Sequence, residues 1–217
     1  MAEKSSSSKS NAHWLFWLVM SELIIIMFLL PVRTFEWLVE TERRVAQSSA
    51  GREVTAWAEQ VGAGWYDVAF EHTGIREQVR LHLIPTEEQR LRSKGMENLG
   101  GKWLWTYADT RIGIFFGMLE QVMVRTAMVL AWTPFAVAVT IPAVWDGLMQ
   151  WRIRQYSFDF ASPVVHGAGM RVVKYVFPAL FFVLIVPLPM PILVIPAIAV
   201  AMALGLAWIA KHTQKRI

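Results

Sequence analysis

The densest grouping of chemically capable side chains lies in the last third of the chain: Asp146-Gly147-Leu148, then Arg152, Arg154, Ser162 and His166. A carboxylate near a helix end, two arginines, a hydroxyl and an imidazole can bind a phosphate, a lipid headgroup or an acidic partner surface. Guanidinium groups give charge-assisted, often bidentate hydrogen bonds to phosphoryl and carboxylate oxygens. The plainer reading is an anchor of positive charge at a membrane surface, with Asp146 bonding Arg152, Arg154 or the backbone.

Glu22 is the other residue that calls for explanation, because it stands in the middle of the apolar run Trp14–Leu30. A carboxylate at the centre of a bilayer costs on the order of 3 kcal/mol on insertion scales. It serves either as a proton or ion site, or as a polar contact between helices or subunits, with Ser21 or a neighbouring helix as partner. With no second acid in that run, the contact is the preferred reading, and self-association through it stays open. The five histidines, His13, His72, His82, His166 and His212, form no H-E-x-x-H and no i,i+4 pair, so they read as surface or interfacial imidazoles. No Walker loop, nucleophile elbow or dinucleotide glycine fingerprint is present. The absence of cysteine removes thiolate chemistry, disulfides and cysteine-ligated metals. An Asp-Gly acid followed by Arg also forms part of the signature of membrane alcohol phosphotransferases. That chemistry requires further aspartates downstream, and none follows Asp159, so this class is excluded. No catalytic residue, metal or cofactor is expected.

The elements that must position these residues are set by an uneven distribution of charge. Of 217 residues 55% are hydrophobic and only 18% charged, below the quarter usual for soluble domains. Residues 32–111 hold 11 basic and 12 acidic side chains, so most of the ionisable groups are crowded between two apolar regions. Residues 13–31 make a first membrane span, long enough at 1.5 Å per residue to cross the hydrocarbon. A cleavable signal peptide is the competitor, but the run is long for one and bulky Phe35-Glu36-Trp37 follows instead of a small-residue cleavage site. A pre-helix over Gly113–Arg125 leads into a second span, Thr126–Met149, within the segment 112–150. Tyr175–Ala210 carries no charge over 36 residues, too long for one crossing, and Pro187-Leu188-Pro189-Met190-Pro191 interrupts it. Residues 171–210 therefore form a hairpin, one helix from about Met170 to Val186 and another from about Ile192 to Ala210. Pro134, Pro142, Pro178 and Pro196 fall inside helices, where they give kinks.

The expected fold is thus an all-α membrane protein with four transmembrane helices and a helical extracytoplasmic insertion between helices 1 and 2. Residues 1–12 form a disordered tail, 151–170 a basic loop and 211–217 a second tail. With four crossings, Lys4, Lys9, Arg152, Arg154, Arg171, Lys174, Lys211, Lys215 and Arg216 share one side with two acids, and the positive-inside rule makes that side cytoplasmic. Both termini then lie in the cytoplasm. The block 32–111 faces out, with apolar stripes at Trp57, Val61, Trp65, Val68, Val79 and Leu83, and with breaks at Gly62, Gly64 and Gly74. Thr86-Glu87-Glu88-Gln89 fits a capping box, and Asn98–Gly101 ends that helix.

The stretch Ile141-Pro142-Ala143-Val144-Trp145-Asp146-Gly147-Leu148, with Arg152-Ile153-Arg154, Ser162, His166 and the final apolar hairpin, resembles a family of bacterial inner-membrane proteins encoded by integrating conjugative elements and conjugative plasmids. The resemblance is most specific over residues 141–191. It implies a non-enzymatic part in conjugative DNA transfer by a type IV secretion system, with the coupling ATPase or other conjugation membrane proteins as partners beside the lipid bilayer. Direct nucleic-acid contact is not expected, since nine basic groups spread over three short segments are explained by topology and anionic lipid. Two other readings stand beside it: a small transporter or proton-coupled channel using Glu22, and a lipid-modifying enzyme using Asp146, Arg152 and His166.

Overall fold

A computed structural model of the chain describes residues 29–86, 102–157, 162–186 and 191–213, together with Trp17, Ser21, Phe160 and Pro189. The described residues are helical and include no strand. Seven α-helices follow one another: α1 (Val32–Ala50), α2 (Arg52–Tyr66), α3 (Ile75–Leu83), α4 (Lys102–Ala131), α5 (Thr133–Tyr156), α6 (Pro163–Ile185) and α7 (Val194–Lys211). A single π-helical turn, Asp67–Glu71, sits between α2 and α3. Of the first expected span Trp17, Ser21, Leu29, Leu30 and Pro31 are described, the first three of them helical. Glu22, Gln89 of the capping box and Asn98–Gly101 lie outside the described residues.

Contacts divide the chain into two compact units. The first comprises Met1–Arg43, Trp57–Arg125 and Val186–Pro189, and the second Arg44–Ala56, Thr126–Ile185 and Met190–Ile217.

In the first unit α1 and α4 run parallel, as three contacts in register show. Arg111 donates to the Leu30 carbonyl, Phe35 meets Gly117, and Glu42 pairs with Arg125. α2 runs back against α4, so that Gly62 faces Val124 while Tyr66 joins Ile112 and Phe116 in the core. Phe70, Val79, Ile84, Leu119 and Met123 complete this cluster. The ring of Phe70 stands edge-on to Phe116 at 5.9 Å, a favoured aromatic geometry.

The inward stripe of α2 is not the expected one. Thr55, Ala58, Gly62 and Tyr66, spaced three, four and four apart, are the buried positions, while Trp57, Trp65 and Val68 are exposed. Small residues win that face because the helices approach closely. A Cβ on Gly62 would lie 2.5 Å from the Val124 Cα. Gly62 and Gly64 are therefore helix-interior residues rather than breaks. The chain does turn at Gly74, as expected, and also at Gly51; their φ angles of 68° and 91° lie in the left-handed region that glycine enters without a steric penalty.

α4 and α5 also divide differently from the expected pre-helix and second span. One helix covers Lys102–Ala131 without a break at Arg125, because no helix breaker stands there; the interruption comes at Trp132. Pro134 is the cause, since it lacks an N–H and its ring opposes the preceding turn. Its position in the first turn of α5 is where a missing donor does least harm. The Trp132 N–H still reaches the Met128 carbonyl at 3.2 Å, and Ala136 reaches Trp132 at 3.0 Å.

The second unit is a three-helix layer centred on α7. α5 lies parallel to α7, and α6 antiparallel to it, as a hairpin about the proline cluster requires. The contacts are glycine-mediated. A Cβ on Gly147 would sit 2.7 Å from the Ala207 carbonyl, and one on Gly169 would sit 2.7 Å from the Gly205 carbonyl. Small residues at such seams let helix backbones approach, which is how helices associate where apolar burial gives little drive. α6 begins at Pro163, seven residues before the expected Met170. Ser162 precedes it, and its carbonyl accepts from His166 at 3.2 Å. The expected basic loop over 151–170 is accordingly mostly helix, with Arg152 and Arg154 on α5 and His166 and Arg171 on α6.

Three helices are long and apolar enough to cross a membrane: α4 over Trp103–Ala131, α6 and α7. α4 buries a third of its apolar window within the protein, against 17% for α6 and for α7. The hairpin helices thus leave most of their apolar surface open, while α4 commits more of its own to α1 and α2.

Candidate functional site

At the ends of α5 and α7, where α6 begins, His212 gathers the polar groups of the second unit. Its ring is 8% exposed. Nδ1 lies 3.0 Å from Arg154 Nη1 and 3.1 Å from the backbone N of Ser162. A guanidinium and a backbone N–H can only donate, so Nδ1 carries the lone pair and the neutral ring holds its proton on Nε2. Electrostatics agrees in sign. Burial, then the Arg154 and Lys211 cations and His166, hold the imidazole below its ordinary protonation range. The same Arg154 Nη1 donates to the Lys211 carbonyl at 3.2 Å, and Trp151 Nε1 donates to the Thr213 carbonyl at 3.1 Å. The Lys211 carbonyl, left over at the end of α7, and the Thr213 carbonyl just beyond it are thereby satisfied by side chains of α5.

The structure brings together part of the expected constellation. Arg154 and Ser162 converge on His212. His166, one turn into α6, is near enough to act on it electrostatically, and its own Nδ1 is buried without a hydrogen-bond partner. Asp146 is not part of this group. It is exposed and accepts from Gln150 Nε2 at 2.6 Å, one turn along the same helix, rather than from Arg152 or Arg154. Arg152 is exposed as well. The Asp-Gly pair therefore splits into a solvent-facing acid and a glycine that seats α5 on α7. His212 carries the cluster, and nothing local singles it out: its partners lie 58 and 50 residues away in sequence. The one available hint is its position just past a helix free of charge until Lys211. No group of three or more His, Cys, Asp or Glu suited to a metal occurs among the described residues.

A second polar centre lies in the first unit. Arg125 Nε and Nη2 each meet a Glu42 carboxylate oxygen at 2.7 Å, a two-pronged fork with side chains only 7% and 13% exposed. Arg125 Nη1 also donates to the Val186 carbonyl. The partner of Arg125 is 83 residues away in sequence, too far for local spacing to reveal.

These helices define an α-helical membrane protein whose polar groups work as ties between helices. Over residues 29–216 the chain matches the model of the DtrJ-like family, described as IncC plasmid conjugative DNA transfer protein DtrJ-like, and it belongs to that family. The membership bears out the resemblance to conjugative-plasmid proteins and places the chain in conjugative DNA transfer. No curated protein and no solved structure matches it.

Proposed function

We propose that the chain is a non-enzymatic, multi-pass component of the bacterial inner membrane that holds the coupling ATPase of a type IV secretion apparatus in place during conjugative DNA transfer. The observation that carries this reading is the family membership over residues 29–216, joined to a second unit whose buried polar side chains are used to fasten helices. Arg154, Ser162 and His212 tie three helix ends into one fixed face. A rigid face suits the holding of a partner better than turnover of a substrate. Four crossings put both termini, Arg152, Arg154 and Lys211 in the cytoplasm, where the ATPase works, and leave α1 to α3 outside.

The test is co-purification from native donor membranes in detergent with a C-terminally tagged chain, alongside mating frequency in a deletion strain. Recovery of the ATPase, with transfer abolished by deletion and restored by complementation, is the expected result. A tagged chain that recovers only itself, with transfer intact after deletion, would overturn the reading.

A further inference from the structure

The tryptophans of α2 have no place in the core of the first unit. Trp57 is 45% exposed and Trp65 37%, and Val68, in the π-helical turn that continues the helix, is 62% exposed. Val54, Trp57, Val61, Gly64 and Val68 follow one another three, four, three and four residues apart, with Trp65 along the edge of the row. That is the heptad spacing of a coiled-coil seam, with valine at every first position and Trp57 and Gly64 at the fourth. The row lies beside the inward positions Thr55, Ala58, Gly62 and Tyr66 and not among them, so packing on α4 leaves it uncovered. At 1.5 Å per residue it is about 21 Å long. Apolar exposure concentrated in one row indicates a surface that something covers.

The surroundings of the row say what covers it. α2 runs back along α4, and α4 is one helix that continues past Arg125 into the apolar run beginning at Thr126. The row therefore stands along the line on which the chain enters the bilayer and does not lie flat on a membrane surface. Its solvent-side flank is Glu53, Gln60 and Asp67, seven apart and all exposed, the wrong sign for anionic headgroups. β-Branched residues at the first heptad position favour two parallel helices. Parallel pairing sets the acidic flank of one helix against Ala58 and Trp65 of the other. Antiparallel pairing would set it against itself, Glu53 facing Asp67. A parallel pair also has its twofold axis along the helices, so two copies enter one bilayer the same way up.

We propose that this face of α2 is a homodimer seam, on which a second copy of the chain lays its own α2 in parallel register outside the membrane. Val54, Val61 and Val68 meet their counterparts across the axis. Gly64, where a Cβ would have nothing within 4 Å, leaves room at its layer for the flanking Trp65 rings. The direction of the pair rests on the four-crossing orientation proposed above; the coupling ATPase plays no part in it.

The chain contains no cysteine, so single cysteines report contact directly. Val54→Cys, Val61→Cys and Val68→Cys are each oxidised with copper phenanthroline in native membranes, with Ala56→Cys on the exposed polar side of α2 as control. Non-reducing electrophoresis should show a disulfide-linked pair of chains at 54, 61 and 68 and none at 56. Val61→Glu sets like charges face to face across the seam, and should weaken self-association in detergent on the order of a hundredfold, read by light scattering over a dilution series. Its unfolding midpoint should match the parent's, since α2 packs on α4 through its other face. Undiminished association of that variant overturns the seam. Linking at 61 alone, with Val54→Cys joining Val68→Cys in a mixture of the two, is an antiparallel pair and overturns the parallel register. Equal linking at 56 is random collision and overturns the proposal, as does linking of the valine sites to a different protein or to nothing. Labelling of the Val61→Cys variant by a membrane-impermeant maleimide in spheroplasts checks the orientation separately: linked pairs without labelling support the seam and overturn the outward placement of α2.

Discussion

The Glu42–Arg125 fork makes the sharpest energetic demand on the first unit. Both side chains are nearly excluded from solvent and bonded through two contacts of 2.7 Å. Replacing Glu42 with Leu removes the carboxylate but leaves a guanidinium with no way back to water. Removing one member of a buried pair typically costs about 3–5 kcal/mol. Arg125→Met strands the carboxylate instead and also deprives the Val186 carbonyl of its donor. The double variant strands neither charge and should fall within about 1–2 kcal/mol of the parent, since a buried pair and apolar residues of similar volume are often equivalent. A double-mutant cycle should therefore return a coupling of at least about 4 kcal/mol, roughly three decades in the unfolding constant. The measurement is denaturant-driven unfolding in mixed micelles, followed by tryptophan fluorescence. Arg43–Glu59 serves as control, because its side chains are 52% and 32% exposed and such pairs are worth about 1 kcal/mol or less. Additive single variants, with coupling no larger than in the control, would refute the buried fork.

Further predictions address the seams, the clamp and the topology. Gly169→Val places a Cβ 2.7 Å from the Gly205 carbonyl and should destabilise the α6–α7 hairpin by about 1–3 kcal/mol in the same unfolding assay; an unchanged midpoint would contradict the close seam. Gly62→Leu should weaken α2 against α4 through the 2.5 Å approach to Val124, while Gly64→Ala, with open space around it, should be tolerated. His212 is held neutral in the folded clamp, so its contribution is complete above about pH 6.5 and is lost as the pH falls toward its depressed folded value. Protection of the amides of residues 211–213 against hydrogen exchange, taken relative to the intrinsic rate at each pH, should fall on acidification through that window, and a flat protection profile would remove the neutral-acceptor geometry. Reporter fusions after Gly64 and after Ile217 should report opposite sides of the membrane, and matching signals would end the four-crossing topology.

Much of this protein is written locally. A charge-free stretch of 36 residues interrupted by three prolines dictates a helical hairpin, because backbone polar groups in lipid must pair within their own helix and proline cannot continue one. Helical spacing likewise reveals the helical character of residues 32–86, and the Asp146–His166 run was enough to indicate the family. Three things only the tertiary structure decided. The tryptophans of α2 do not mark its inward face, since close approach to Val124 selects glycine and alanine over large apolar rings. Whether Gly147 served a site or a seam depended on the Ala207 backbone. And the groups that hold the helices, His212 with Arg154 and Arg125 with Glu42, are joined across 58 and 83 residues. Periodicity reports a helix's own faces and not its neighbour's, so the choice of partner for a buried charge waits on how the helices pack.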